Sequence, residues 1–358
     1  MTYSIDGVSF ASLGIYVSSS GGLVCKPAIK APLSDDRPWM HGVVYDLSAL
    51  CFQEATIQLQ CFMEANGYSN FITRAMAFFN AIADAPNTHT LTVSFGGTAK
   101  TYTVMCKDSV NIEKEWNAQK FVGTFKITLT IPTPATISPT ALGASRVPSS
   151  DVSYSIDGNN LREYGVWVSA SSGLVSRPAI KSPLTYSWGN SNGVDYFADG
   201  VRYKEREITL QCFIEAESYI SLVNNAIAFF GLFAQNGTRR LRVGAGDKAL
   251  VYEVFCKDEI SISPEWSSQG RCVGTFTLKL IEPEPVKRVL GGGGIISIAS
   301  KYPVNIYWGD GTHTFDVSGN DTLVEVIGGG NAETIITGEP NEFSSFSSSL
   351  STLWSRLL

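Results

Sequence analysis

The sequence contains its own copy. The segment IQLQCFMEA, from Ile57 to Ala65, returns as ITLQCFIEA, from Ile208 to Ala216, 151 residues later. Seven further motifs recur in the same order, among them Tyr3–Gly7 as Tyr154–Gly158, Pro27–Lys30 as Pro178–Lys181, Cys106–Asp108 as Cys256–Asp258, and Val122–Phe125 as Val273–Phe276. The offset slips by one residue only between motifs, where loops absorb it. Ordered recurrence at a fixed spacing requires two structural units of one fold.

Within IQLQCFMEA, Ile57, Leu59 and Cys61 alternate with Gln58, Gln60 and Phe62. A period of two marks a strand with one buried face. After Ala65 the spacing changes: Tyr68, Phe71, Ile72, Ala75 and Phe78 fit one face of a helix. The unit is therefore a strand running into a helix. Short strands separated by turn residues fill the rest, with an Asp-Gly turn at Asp6-Gly7 and Asp157-Gly158. Leu13–Val17 and Leu23–Ile29 read as strands, the latter an edge because of Pro27. About seven strands and one helix per repeat imply a mainly β chain: two tandem antiparallel β-sandwich or barrel domains, each with one packed helix and a long arm, plus a small C-terminal β segment.

The expected divisions are residues 1–132, a linker at 133–150, the second repeat at 151–285, and a Gly-rich linker with a C-terminal module at 286–358. The run Gly291–Gly294 reads as flexible, and Phe343, Phe346, Leu350, Leu353, Trp354 and Leu357 are spaced as an amphipathic helix.

Ala31–Ala55 and Ser182–Glu205 occupy the same place in each repeat yet scarcely match. They read as exposed arms. Their aromatics, Trp39, Tyr45 and Phe52 in the first and Tyr186, Trp188, Tyr196, Phe197 and Tyr203 in the second, fit a protein interface; stacking on sugars is the alternative.

Catalytic patterns are thin. His41, His89 and His313 do not recur between repeats, and there is no phosphate-binding GxxxxGK[ST], HExxH or GxSxG. Glu64 and Glu215 recur, and a paired-carboxylate glycosidase is conceivable. Their place before a helix favours a helix-start role instead. Glu115-Trp116 and Glu265-Trp266 recur likewise. Seven cysteines without CxxC read as buried thiols, Cys61, Cys106, Cys212 and Cys256 among them. The expectation is no enzyme, no cofactor and no metal.

A net charge of −6 argues against wrapping nucleic acid and is compatible with a wall that nucleic acid passes without sticking. Met1–Gly7 lacks the basic and apolar regions of a secretory leader, and no stretch has the length of a membrane span, so folding in a cytoplasm is expected.

The order of these motifs resembles the N-terminal domain of distal tail proteins of long-tailed bacteriophages. The second copy carries the resemblance best, at Tyr154–Gly158, Gly165–Ser169, Gly200–Leu210 and Gly274–Pro283; the first follows through the repeat. The resemblance implies a β-sandwich with a helix and an arm that embraces a neighbour in a ring between tail tube and host-recognition apparatus. It implies a homo-oligomer, either a hexamer or a trimer with a pseudo-six-fold ring. Tail-tube and tail-tip proteins would be partners, without sequence-specific nucleic-acid binding. The location would be a virion tail assembled in the host cytoplasm. The family supplies no catalytic residues. Asn305–Thr312 separately resembles the WGDGT turn of PKD-like modules.

Overall fold

The computed structural model describes residues 1–356 except 83–86, 96–97, 117–119, 136, 141, 143–151, 183–184, 197–200, 246–247, 267–270, 292–293, 326–332 and 341–342. Each repeat is built on the strand singled out above. Ala55–Ala65 lies between Phe121–Ile131 and Ile15–Gly21, with Glu113–Trp116 at the edge. Its alternate residues Ile57, Leu59 and Met63 are fully buried, as the period of two requires. A second four-stranded sheet, formed by Val8–Ser9, Thr2–Ile5, His89–Phe95 and Thr98–Val104, supplies Ile5, Leu91 and Val93 to the same core. The second repeat reproduces this pair of sheets around Arg206–Ala216 and Cys272–Glu282, in an unbroken register of the same length. Both repeats are open sandwiches; neither set of strands closes into a barrel.

Local chemistry repeats along with the sheets. Asp6 and Asp157 have φ of 47° and 49°, each followed by a positive-φ glycine, the backbone that a two-residue hairpin turn demands. Their carboxylates accept from the backbone N–H of Thr90 and of Arg240. Each strand after the short 3-10 turn carries one bulge, at Ser18 and Ser169, whose hydroxyls donate to the carbonyls of Gln60 and Gln211.

Helix α1 (Tyr68–Ile82) and helix α2 (Tyr219–Leu232) follow the long strands as the spacing predicts. Glu64 and Glu215 do not start them, contrary to expectation. Both still lie in strand, and they pair across it with Lys120 and Arg271 at 3.2 and 3.3 Å. Ser218 caps α2, accepting from the N–H of Ser221. Leu13–Val17 is also not one strand: Phe10–Leu13 is a 3-10 turn, and the strand begins at Ile15. Leu23–Ile29 contributes only the short strand Cys25–Lys26.

The two repeats share one hydrophobic core. Phe95 of the first stacks near Tyr219 of the second at 4.7 Å. The interrepeat stretch is not a bare tether: Ile137 and Leu142 pack on the core, and a Cβ at Gly231 of α2 would strike Ser138 and Pro139.

The described part of the C-terminal segment is built of strands, which corrects the expected terminal helix. Lys287–Gly291, Gly294–Tyr307, His313–Glu325, Glu333–Thr337, Phe343–Ser348 and Ser351–Arg356 form one antiparallel sheet. Gly291 ends one strand and Gly294 begins the next in sequence, while the two glycines between them lie outside the described residues. The helix-like spacing after Phe343 arises from bulges. In Phe343–Ser348 a register shift between Ala299 and Ser300 puts Phe343 and Phe346 against the Arg288 guanidinium. In Ser351–Arg356 a shift opposite Val289/Leu290 leaves Leu353 unpaired and exposed, while the Trp354 ring lies beneath the Lys287 ammonium. A bulge adds a residue to one strand, so same-face positions fall three apart. The Trp308–Thr312 turn is as expected: Asp310 accepts from the N–H and hydroxyl of Thr312, while the buried Trp308 donates to Thr314. Val251, Val289 and Ile335 weld the module to the second repeat.

Leu59 and Leu210 sit at equivalent, fully buried positions. Truncating either to alanine is expected to cost about 2–5 kcal/mol in chemical denaturation. Because the core is continuous, either variant should shift one common transition rather than uncouple one repeat.

Candidate assembly interface

The arms are the same element despite their divergent sequences. Ser34–Asp35 pairs with Val44–Tyr45, and Thr185–Tyr186 pairs with Asp195–Tyr196, 151 residues on. Their bases match too: the N–H of Lys30 donates to Cys51 and that of Lys181 to Arg202, while Ile29 bridges Phe52 and Ile180 bridges Tyr203. Lys26 lies over the Phe52 ring and Arg177 over the Tyr203 ring. A hairpin is specified by its backbone pairing and tolerates many side chains on its exposed faces, so the two arms expected from the repeat share one pairing while their sequences diverge.

What differs is the environment. The first arm lies on the second repeat. Its N-terminal edge, Cys25–Lys26, pairs antiparallel with Ile260–Ser261. Lys26 is fully buried there and donates to the carbonyls of Pro27, Cys256 and Asp258 at 3.1–3.2 Å. Burial lowers its pKa, while the nearby Asp258 and Glu259 charges oppose the shift. Farther along, the N–H of Ile29 donates to Lys257, that of Gly237 to Leu47, and that of Val43 to Pro283. Ile29, Leu47 and Phe255 form an apolar cluster, with the Tyr45 ring 4.9 Å from Phe255 and its hydroxyl donating to Glu205. Gly42 has φ +71°, and a Cβ there would lie 2.1 Å from the Pro283 carbonyl oxygen.

The tip of the first arm meets both the second arm and the C-terminal module at His41. The imidazole is buried and stacks on Tyr203 at 5.4 Å. Its Nδ1 accepts from the Tyr203 backbone N–H at 3.1 Å, its Nε2 faces Glu339 at 3.4 Å, and its own backbone N–H donates to Glu339. Arg202 also faces Glu339, at 3.5 Å. A proton on Nδ1 would oppose the N–H it now accepts from. Burial, followed by the Arg202 and Lys181 charges, lowers the His41 pKa to about 4. His41 is held neutral here.

A second buried ionic group fastens the C-terminal module. Glu282 receives Arg206 at 3.2 Å and a close contact from Lys287, both cations lying over the Tyr252 ring. Burial lowers the Lys287 pKa to about 8, against the pull of Glu282. The first repeat has Ala55 and Ile131 in the places of Arg206 and Glu282, so this joint belongs to the second repeat alone.

The predicted arm residues thus divide into two groups. Tyr203 is buried, and Tyr45 and Phe52 are half-buried, in the contact just described. Trp39, Tyr186, Trp188 and Tyr196 are exposed. Phe197 lies outside the described residues. Lys26, Gly42, Phe255 and Glu205 were not singled out in the sequence; the Pro-Ala-Ile-Lys repeat next to Lys26 was the available signal. His89 holds Asp6 at 2.7 Å in the hairpin turn, His313 opens a strand, and all seven cysteines are free thiols. Among the described residues no group of three or more His, Cys, Asp or Glu is arranged to hold a metal ion, and no helix is long and apolar enough to cross a membrane.

No protein-family model matches the chain, and no curated protein matches it in sequence. Among solved structures, it is similar to the Dit protein of SPP1, described as a paradigm of the hub adsorption apparatus in phages infecting Gram-positive bacteria. The match has a TM-score of 0.29 and 15% identity, covering 57% of this chain and 84% of that one.

Two outcomes follow from the docked arm. Because the His41 pKa is depressed in the folded state, the unfolded chain takes up the proton first. Its stabilising contribution is complete above about pH 6.5 and is lost as pH falls toward 4. Urea midpoints should drop across that window, and His41→Gln should flatten the drop. Gly42→Ala carries both backbone strain and the clash with Pro283, whereas Gly193→Ala, at φ +90° with open space around it, carries strain alone. The strain is about 1–2 kcal/mol; thermal melts should show Gly42→Ala destabilised by clearly more than Gly193→Ala.

Proposed function

We propose that this chain is a structural component of a bacteriophage tail, a distal-tail ring subunit between the tail tube and the host-recognition apparatus. The observation that carries the reading is the contact between the two repeats. One face of a sandwich, with its arm, grips a different face of a like sandwich. Contacts of that head-to-tail kind leave a free face at each end and propagate into a ring or a filament. The motif order of the repeats, with their resemblance to distal tail domains, supports the tail assignment. Three chains would supply six sandwiches, and six chains twelve. The role is structural rather than catalytic, and the acidic balance suits a channel wall that repels passing DNA weakly.

The sugar-binding alternative rests on Tyr186 and Trp188. Their rings stand at 62° to one another, 4.2 Å apart, and Trp188 donates its indole N–H to Asp195. Rings so inclined offer no flat shared platform for a pyranose. Glycan-array binding that disappears in Trp188→Ala, with assembly unchanged, would favour that alternative.

Light-scattering mass and negative-stain images of the purified chain test the main reading. Closed rings with a central opening are expected. A monomer at concentrations of tens of micromolar, persisting in the presence of tail proteins, would contradict it.

A further inference from the structure

Comparison of equivalent residues in the two repeats exposes two unfilled half-sites. In the first repeat Val24 and Ile29 are 5% and 2% exposed, because the second repeat covers them; their counterparts Val175 and Ile180 are 82% and 41% exposed. Tyr45 is tucked against Phe255, while its counterpart Tyr196 stands 65% exposed. The gripping edge and arm of the second repeat are therefore built and empty.

The opposite face shows the converse. On the second repeat Phe255, Cys256, Ile260 and Ile262 are buried under the first repeat's edge and arm. Their counterparts Met105, Cys106, Val110 and Ile112 are only half-buried. On α2, Val223 is buried and Tyr219 packs against Phe95; on α1 the matching Ile72 and Tyr68 are exposed, as is Met76 one turn further on. A methionine-bearing apolar stripe beside half-covered strand residues has the make-up of an interface core.

We propose that this face of the first repeat receives the second repeat's edge and arm from a second copy of this chain, in the register that joins the two repeats within one chain. The inference rests on the ring reading above and names its contact. Each empty half-site is the homologue of a filled one and continues the interface inside the chain. Three pairings follow. Ser176 and Arg177 pair with Asn111 and Val110 of the second copy, as Cys25 and Lys26 pair with Ser261 and Ile260. The Arg177 guanidinium, already stacked over Tyr203, donates to the carbonyls of Cys106 and Asp108, as Lys26 does to those of Cys256 and Asp258. Tyr196 packs on Met105 and donates to Glu54, the counterpart of Glu205, whose carboxylate now holds the exposed Lys107. Every chain thus contains one such contact and offers one more.

Cysteine cross-linking tests the register. Opposed residues of an antiparallel pair lie about 4.5–5.5 Å apart at Cα, inside the disulfide range. A chain carrying both Asn111→Cys and Ser176→Cys should give a ladder of covalent multimers on oxidation. A mixture of the two single variants should stop at covalent dimers, and neither single variant alone should cross-link. Ser261→Cys, facing the native Cys25, is the intrachain control. Independently, Val175→Asp alters a side chain that is exposed in the single chain, so melting should be unchanged while assembly weakens at least ten-fold. Rings without a ladder, or with Val175→Asp still assembling normally, would overturn this contact and leave the ring reading standing. Assembly that appears only with another tail protein, again without a ladder, would assign the face to that partner and overturn the proposal. A persistent monomer in which the control bond forms would overturn both.

Discussion

The structure depends on a lysine buried without a carboxylate contact. Lys26 reaches from the first repeat into the second and is held by three backbone carbonyls, two of them in the second repeat. A buried ammonium is costly unless all its donors are satisfied. Here satisfaction requires that both repeats be folded and docked, because the Cys256 and Asp258 carbonyls lie just before the strand Ile260–Ser261 that pairs with Cys25–Lys26. Leu23, Val24 and Ile29, its neighbours in the sequence, are buried as well, and the Phe52 ring lies beneath the ammonium. The duplication therefore produces two unlike positions, one gripping and one gripped, from two copies of one fold.

That asymmetry accounts for features that otherwise look unrelated. Helix α2 buries its Val223 side, while α1 leaves the corresponding Ile72 exposed. Buried charge has accumulated where the second repeat meets the C-terminal module, with Arg206 and Glu282 on the repeat and Lys287 on the module. His41 ties the first arm to Tyr203 and Glu339, so the arm, the second repeat and the module meet at one neutral imidazole. Neutrality there is imposed by geometry, since Nδ1 is already an acceptor.

Much of the fold was legible in the sequence. The alternation of Ile57, Leu59 and Cys61 and the helical spacing after Tyr68 were strong local signals, and the duplication transferred every success to the second repeat. Two kinds of signal misled. Phe343 and Phe346 are three apart because a bulge inserts a residue, and bulges leave no mark that separates them from a helical turn. The arms looked unrelated because a hairpin needs only its backbone pairs: Tyr45 and Tyr196 were on view, but nothing local said that one is covered and the other bare. The interface itself was invisible for the same reason. Lys26 reads as an ordinary surface lysine until the Cys256 carbonyl is placed beside it.

Exposure of equivalent segments is the central quantity, and amide hydrogen exchange measures it directly. With rising protein concentration, residues 105–112 and 174–180 should become protected, while 255–262 and 23–30 stay protected throughout. Exchange in 105–112 and 174–180 that does not change between dilute and concentrated protein would contradict the claim that these are the two halves of one repeated contact.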